Sequence, residues 1–338
     1  MAFWVVRAGR HGENENYALE QNAVAIGWED VGDLGEVNDR DELQVLVSAT
    51  YPDEAISTTR IWTGELWALK ERIQNGDWVA LPLKSRSAIA VGQVSGPYRF
   101  VANGPPSAKH QRPVRWVRTD LPRAEVEQDL LYSLGSTLTV FRVRRNNAEE
   151  RLIALVEGRQ PVQPPIPRAD AEGPDQDTAA IDVEQFAADQ IVNYIGRKFR
   201  GHELARLVAG VLTAEGYRIL LSPPGADGGV DIIAGVGPMG FERPRLVVQV
   251  KSSDSTADVS VVRELQGVMP RFGAEQGLVV SWGGFKDSVL REARQLFFTI
   301  RLWDAGDLVT AIQTNYQRLS PELQAELPLK QLWSLVID

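Results

Sequence analysis

With 338 residues the chain is long enough for two domains, each with its own core. Its 43% hydrophobic and 24% charged residues are those of an ordinary globular protein, and the absence of Cys excludes disulfides and thiolate metal sites, while three scattered His argue against a zinc centre. The net charge of −9 counts against general affinity for nucleic acid, yet seven acidic residues and no Lys or Arg fall between Ala169 and Gly196, so the remainder is close to neutral and can carry local basic faces.

No apolar run approaches the length of a bilayer span, and MAFWVVRAGR enters a strand pattern without a signal peptide, so the expectation is a cytoplasmic protein with no membrane partner. The runs FWVVRA, AVAIGW, DWVALPL, AIAVGQV, PVRWVR and TLTVFRV read as short strands separated by turns such as Gly9 to Gly12 and Asn75-Gly76-Asp77. Two helices interrupt them. One follows Asn38-Asp39 through Val47, and the other starts near Thr58, with Trp62, Leu66, Leu69 and Ile73 on one face. A third, Ala148 to Glu157, is ended by Gly158.

Short strands with inserted helices predict an α+β barrel over residues 1–158. The run IQNGDWVALPLKSRSAIAVGQVSGPY resembles the central hairpin of PUA-like domains, a group that includes EVE modules, and some of these hold a flipped, modified base among aromatic side chains. Six of the nine Trp lie in this segment; Trp4, Trp62, Trp78 and Trp116 fall on faces where a core role is the default. Trp28 ends a strand before the polar run EDVGD and is the candidate to line a ligand pocket. Arg10 and His11, in the turn after the first strand, are candidate contacts to phosphate or base; an idle exposed turn is the alternative. Arg112, Arg115 and Arg118 read either as a solvated strand face or as phosphate contacts.

Residues 159–183 combine Pro clusters with acidic and small residues and lack aromatics, which marks a linker. The second domain is expected over 184–338. A helix from Val183 to Phe199 turns basic at Arg197, Lys198 and Arg200, an end that could face DNA or simply suit the helix dipole. Then come helix His202 to Gly216, strand Tyr217 to Leu221, strands Val230 to Ala234 and Leu246 to Val250, helix Val259 to Met269, strand Leu278 to Ser281, helix Lys286 to Phe298, strand Ile300 to Trp303 and helix Ala305 to Gln317. This order predicts an α/β domain with a mixed central sheet flanked by helices. The tail carries Leu323, Leu327, Leu332 and Trp333, a docked terminal helix or a dimer contact.

The stretch from Gly225 to Lys251 carries the chemistry. Gln249 and Lys251, two apart on a strand, project to one face with the Val250 carbonyl between them. If the two strands pair, Asp231 arrives beside that face, and hard oxygen donors with vacancies for water and phosphate suit Mg²⁺. Asp227-Gly-Gly229-Val-Asp231, then seventeen residues, then Gln249-Val-Lys251, resembles the catalytic core of Mrr-like restriction endonucleases, a PD-(D/E)xK branch in which Gln replaces the acidic residue before the lysine. HELARLVAGVLTAEGY, VVRELQGV, LVVSWGGF and RLWDAGDLV agree in order, and the resemblance covers about residues 200–310.

That resemblance implies a Mg²⁺-dependent DNA endonuclease acting on double-stranded DNA, in the manner of restriction directed at modified bases, and since two antiparallel strands are cut most simply by two copies related by a two-fold axis, a homodimer is expected. It implies Asp231, Gln249 and Val250 as the metal-holding set and Asp231, Gln249 and Lys251 as the catalytic set. Glu203 matches an acidic residue that related enzymes place near the metal, a solvated helix Glu being the alternative. Asp227 sits where the family also accepts Gly and reads as turn chemistry. Two other readings stay open: a nuclease switched on by a nucleotide-type signal bound by the first domain, and a catalytically silent DNA-binding module.

Overall fold

Residues Phe3 to Val6 alternate between two faces, as strand side chains must, yet all four are buried, so this strand lies in a sheet covered on both sides. The computed structural model describes residues 1–159, 182–223, 225 and 229–332, and divides into two units, Met1–Asp189 and Gln190–Asp338. The expected linker, residues 160–181 above all, lies outside the described residues, as do Asp227 and Trp333.

In the first unit the chain runs β1 (Phe3–Val6), α1 (Glu15–Glu20), β2 (Ala23–Ile26), α2 (Arg40–Thr50), α3 (Ile56–Trp67), β3 (Trp78–Pro82), β4 (Ala88–Val94), β5 (Arg99–Phe100), β6 (His110–Pro122), α4 (Gln128–Ser133), β7 (Val140–Arg142) and α5 (Ala148–Val156). Asp39 caps α2 by accepting the Glu42 amide. The sheet has seven strands in the order β2-β6-β4-β3-β1-β7, with β5 on the first part of β6. Only β1 and β3 are parallel among these pairs. Among the described residues the path ends at β2 and β7 without a pairing between them, so the sheet is a curled half-barrel, a loose fit to the α+β barrel expected.

Trp4 and Val6 point into a core shared with Leu43, Leu66 and Leu69 of the α2–α3 side. Phe3, Val5 and Trp78 point into a second core with Leu130 and Leu152 of α4 and α5. Burying both faces leaves polar groups inside, and Arg112 shows how one of them is satisfied. Arg112 is buried and its guanidinium donates to the carbonyls of Leu69 (2.8 Å), Gly96 (3.2 Å) and Lys70. It is neither a solvated residue nor a phosphate contact, but a brace between β6 and the end of the α3 segment.

The helix α6 (Val183–Lys198) begins with contacts to this unit. Arg123, buried, makes a two-pronged ion pair with Asp189 at 2.7 and 2.6 Å, Asp182 meets Arg7 and Lys84, and Phe186 lies edge-on to Tyr132. Residues 184–189, which the sequence pattern joins to the second domain, therefore pack with the first. Removing one partner of a buried pair of this kind strands a charge, at roughly 3–5 kcal/mol.

The second unit continues with α7 (His202–Ala214), β8 (Arg218–Leu221), β9 (Ile232–Val236), β10 (Glu242–Lys251), α8 (Val259–Val268), β11 (Gln276–Ser281), α9 (Asp287–Gln295), β12 (Ile300–Trp303), α10 (Ala305–Asn315) and α11 (Pro321–Glu326). The five strands lie in the order β12-β11-β10-β9-β8. The pairs β8–β9 and β9–β10 are antiparallel and β10–β11–β12 parallel, which is the mixed sheet expected. Helix α8 packs on β10 and β11 through Val261, Val262 and Leu265, beside Val247 and Val279. Leu323 and Leu327 are buried, and a Cβ at Gly210 would meet Leu323 at 2.2 Å, so α11 docks on α7 as the tail pattern suggested. Among the described residues no helix is long and apolar enough to cross a membrane.

Among the described residues, one buried acid of the first unit is met by backbone amides and by no cation. Glu65 of α3 is 5% exposed, and its Oε1 accepts the amides of Thr139 and Val140 at the start of β7. Burial pushes its carboxyl up to about 7, and the two amide bonds only partly oppose that. The folded state then holds a proton that the unfolded chain releases above about 4.5, so stability falls as pH rises from about 4.5 to 7. Gln at this position keeps an oxygen for both amides and carries no charge. Glu65→Gln is expected to flatten this stretch of the stability–pH curve and to raise stability at pH 8 by an amount on the order of 3 kcal/mol; denaturant titrations at pH 5 and pH 8 check it, and an unchanged slope would refute it.

Candidate active site

The site forms where the pairing of β9 with β10 runs out. The register places Ile232 opposite Val248, so Asp231 stands at the mouth of the hairpin. Its amide donates to the Val248 carbonyl at 2.9 Å, and its carboxylate Oδ2 accepts the Val250 amide at 2.6 Å. The side chain thus takes over a backbone bond that the strand itself no longer supplies. This is why β9 starts at Ile232, two residues later than the sequence pattern indicates.

Backbone groups of one strand residue point to the same neighbour, and successive residues alternate. The Val250 amide meets Asp231, while the Lys251 carbonyl accepts Trp282 from the β11 side at 2.8 Å. The Val250 carbonyl therefore points toward the side where β9 has ended. Asp231 and the Val250 carbonyl share one open sheet end, as the spacing implied.

Gln249 and Lys251 share the face covered by α8. Gln249 is 4% exposed, with its carboxamide between an acceptor and a donor. A carbonyl can only accept and an ammonium can only donate, so the orientation is dictated. The Gln249 NH₂ donates to the Val261 carbonyl at 3.3 Å, and its oxygen accepts the Lys251 Nζ at 3.1 Å. Gln249 ties the ammonium to the first turns of α8, a link that no spacing rule reveals.

The remaining candidates lie elsewhere. Glu203, at the start of α7, is half exposed and bonds Arg206 at 2.8 Å, whose guanidinium also meets Glu326. Among the described residues its side-chain contact is to Arg206 on its own helix and not to Asp231 or Lys251. His11 is exposed, with its amide held by Glu13, and Arg10 lies beside it in the β1–α1 turn.

Trp28 has the most unusual backbone of the candidates, at φ 57° and ψ 43° in the left-handed region. For a bulky residue this costs roughly 1–3 kcal/mol and needs an external hold. The hold is His110, fully buried on β6. Leu34 donates its amide to the Tyr98 hydroxyl (3.3 Å), Tyr98 donates to His110 Nδ1 (2.8 Å), and His110 Nε2–H donates to the Trp28 carbonyl (3.1 Å). Burial lowers the His110 pKa, which keeps the ring in the neutral form that this chain of donors requires. Trp28 then sits 6.2 Å from the ring of Trp62, which meets Tyr51 edge-on at 5.2 Å, and all three are half-buried over the α2–α3 core. Sequence reading singled out Trp28 but not His110 or Tyr98, since neither spacing nor composition sets them apart.

The second unit thus combines a mixed sheet, an acidic residue at a hairpin mouth and Gln-x-Lys at the adjoining strand end. Residues 196–312 match the family model for the Mrr catalytic domain, described as restriction endonuclease, so this unit is an endonuclease domain of that family. Residues 4–142 match a domain of unknown function (DUF8426). No curated protein matches the chain. Among solved structures it is similar to the DNA modification-dependent restriction endonuclease AspBHI, at 14% identity over 81% of this chain and 73% of that one with a TM-score of 0.34. It is also similar to the MspJI restriction endonuclease in complex with a 27-mer oligonucleotide, at 16% identity over 80% and 69% with a TM-score of 0.31. The family assignment stands on the match of residues 196–312.

The dual role of the Gln249 carboxamide makes its replacement by an acid informative. Gln249→Glu keeps an acceptor for Lys251 but sets a carboxylate oxygen against the Val261 carbonyl and leaves that carbonyl without its donor. A loss of about 1–3 kcal/mol in unfolding free energy is expected, with some cleavage retained. Equal stability of variant and parent in urea would show that the Val261 bond carries no weight.

Proposed function

We propose that the protein is a Mg²⁺-dependent DNA endonuclease that cuts duplex DNA selected by its first unit for modified bases. The observation that carries the nuclease reading is the Asp231 carboxylate on the Val250 amide, beside a lysine held by Gln249. The donors fit the ion: one carboxylate, one backbone carbonyl and one carboxamide oxygen are hard ligands, and a site with so few of them leaves room for water and phosphate, as Mg²⁺ prefers. Among the described residues no cluster of three or more His, Cys, Asp or Glu offers a different metal site. Asp231 and the Val250 carbonyl would hold Mg²⁺, with the Gln249 oxygen completing or orienting the set. When bound, the ion would supply Lewis acidity and a water of lowered pKa.

The chain's own residues do the rest. Lys251, half-buried and fixed through Gln249 to α8, presents its ammonium to the attacking water and to the charge that develops on the phosphoryl oxygens. Asp231, anchored by the Val250 amide, cannot swing away from the hairpin mouth. Two copies related by a two-fold axis would address both antiparallel strands, which is why we assign a homodimer on DNA. The first unit, read as PUA-like, supplies selection. Its support is the trio Trp28, Tyr51 and Trp62, whose rings offer faces on which an extruded base stacks. Burial first, and then the carboxylates of Asp30 and Glu29, hold the Tyr51 hydroxyl pKa up, and the nearby negative charge suits this surface to a base better than to a backbone phosphate.

Cleavage should need a divalent ion and both residues of the strand end. Asp231→Ala and Lys251→Ala are each expected to lower the cleavage rate by about 10³-fold or more with the fold retained; full activity of either variant, or of the parent in excess chelator, would sink the mechanism. Selection is tested on the full chain with duplexes carrying cytosine, methylcytosine or hydroxymethylcytosine. A preference for one of them should shrink in Trp28→Ala by about 1–3 kcal/mol, the weight of one stacked base. An unchanged preference, or a saturable response to a free nucleotide in place of any duplex preference, would remove the reader role from this unit.

A further inference from the structure

Parallel strands usually part at their ends, each leading into its own helix. Here β10 and β11 keep bonding beyond Lys251 and Ser281. Trp282 donates to the Lys251 carbonyl (2.8 Å), Gly283 to Ser253 (3.0 Å), Ala257 to Gly284 (2.9 Å) and Lys286 to Ala257 (3.1 Å). The SWGGF turn is thus laid along residues 251–257, the segment that leaves the catalytic strand. Ser281, fully buried, braces the turn from inside by donating to the Gly284 carbonyl at 2.8 Å.

The two glycines of the turn serve different needs. Gly284 has φ of +72° with nothing within 4 Å of an added Cβ, so its demand is conformational. At Gly283 a Cβ would lie 2.4 Å from the carbonyl oxygens of both Asp254 and Ser255. Backbone carbonyls cannot turn aside as a flexible side chain can, so any larger residue must push residues 253–255 outward.

We propose that Gly283 is a positioning residue for catalysis: by letting the turn close on residues 253–255 and on the Lys251 carbonyl, it fixes the end of the strand that presents Val250 and Lys251. The proposal rests on the nuclease reading of that strand end. Gly283 touches no reacting group. It acts through the backbone, from the β11 side, while Gln249 holds the Lys251 side chain from α8. A shift of the strand end moves the ammonium and the Val250 carbonyl together relative to Asp231.

The test uses the full chain with Gly283→Ala, Gly284→Ala as the strain control, and Ser281→Ala as a milder loosening of the same turn. Amide exchange of Ala257 and Gly283, single-turnover cleavage with Mg²⁺ and affinity for the same duplex are each measured. Gly283→Ala is expected to speed exchange at both amides and to lower the cleavage rate by about 100-fold, the scale of a displacement near 1 Å, with affinity within a few-fold of the parent. Gly284→Ala should lose less cleavage, and Ser281→Ala should fall in the same direction as Gly283→Ala. Parental exchange and rate in Gly283→Ala overturn the proposal, as does a rate loss matched by an equal loss of affinity. If Gly283→Ala does not fold, Ser281→Ala decides, and its parental exchange and rate would be the overturning result. A parent that cuts no duplex at all sinks the nuclease reading, and the amide exchange then reports separately whether the turn holds residues 251–257.

Discussion

The second unit is organised around one substitution of hydrogen bonds, a side-chain carboxylate standing where the next strand residue would have been. An antiparallel pair that continued past Ile232 would satisfy Val250 with backbone and bury the strand end in the sheet. The chain instead turns at Gly229, at φ of +85°, and Asp231 takes the Val250 amide with its side chain. Strand order stays intact up to Val248, while the next three residues of β10 become a platform open on the β9 side. The apolar stretch Leu246 to Val248 lies just before it, largely dry, so the platform inherits the rigidity of the sheet.

Rigidity then has to be extended to side chains beyond the last ladder bond, and two elements supply it from different directions. Helix α8 reaches Lys251 through the Gln249 carboxamide, and the SWGGF turn reaches the Lys251 backbone. Gln is well suited to the first task because it carries a donor and an acceptor on one planar group. A carboxylate would lack the donor. The family's departure from the commoner acidic residue is thus matched here by a structural use of the extra hydrogen.

The first unit solves a related problem with other means. Its sheet is covered on both faces, so polar groups that serve loops have to be inside. Arg112 braces carbonyls, Glu15 accepts the amides of Lys84 and Ser85, and Arg123 engages Asp189. His110 belongs to the same class: it is buried to hold a strained loop, and that loop carries Trp28. The left-handed backbone of Trp28 is thus kept in place by a buried hydrogen-bonded network while its ring packs at the edge of the core.

Local pattern in the chain was sufficient for the elements and for the chemically distinctive positions. Period-two and period-3.6 burial, the Asp39 cap and the glycine stops placed most strands and helices, and the Gly-rich turn followed by Gln249-x-Lys251 singled out the candidate site. Alternation also assigned Trp4 and Trp78 to the core. What the pattern left open was every decision made by a partner distant in sequence. That the half-barrel stays open, that Arg112 is inside, that Glu65 has amides but no cation, and that Asp189 belongs with the first unit depend on which surfaces meet. The same holds for Gln249 with Val261, for Gly283 with Asp254 and Ser255, and for His110 with Trp28. Short-range propensity and periodicity are properties of a segment and can be read from it, whereas a hydrogen bond or a close approach between segments exists only once tertiary packing has set the register between them.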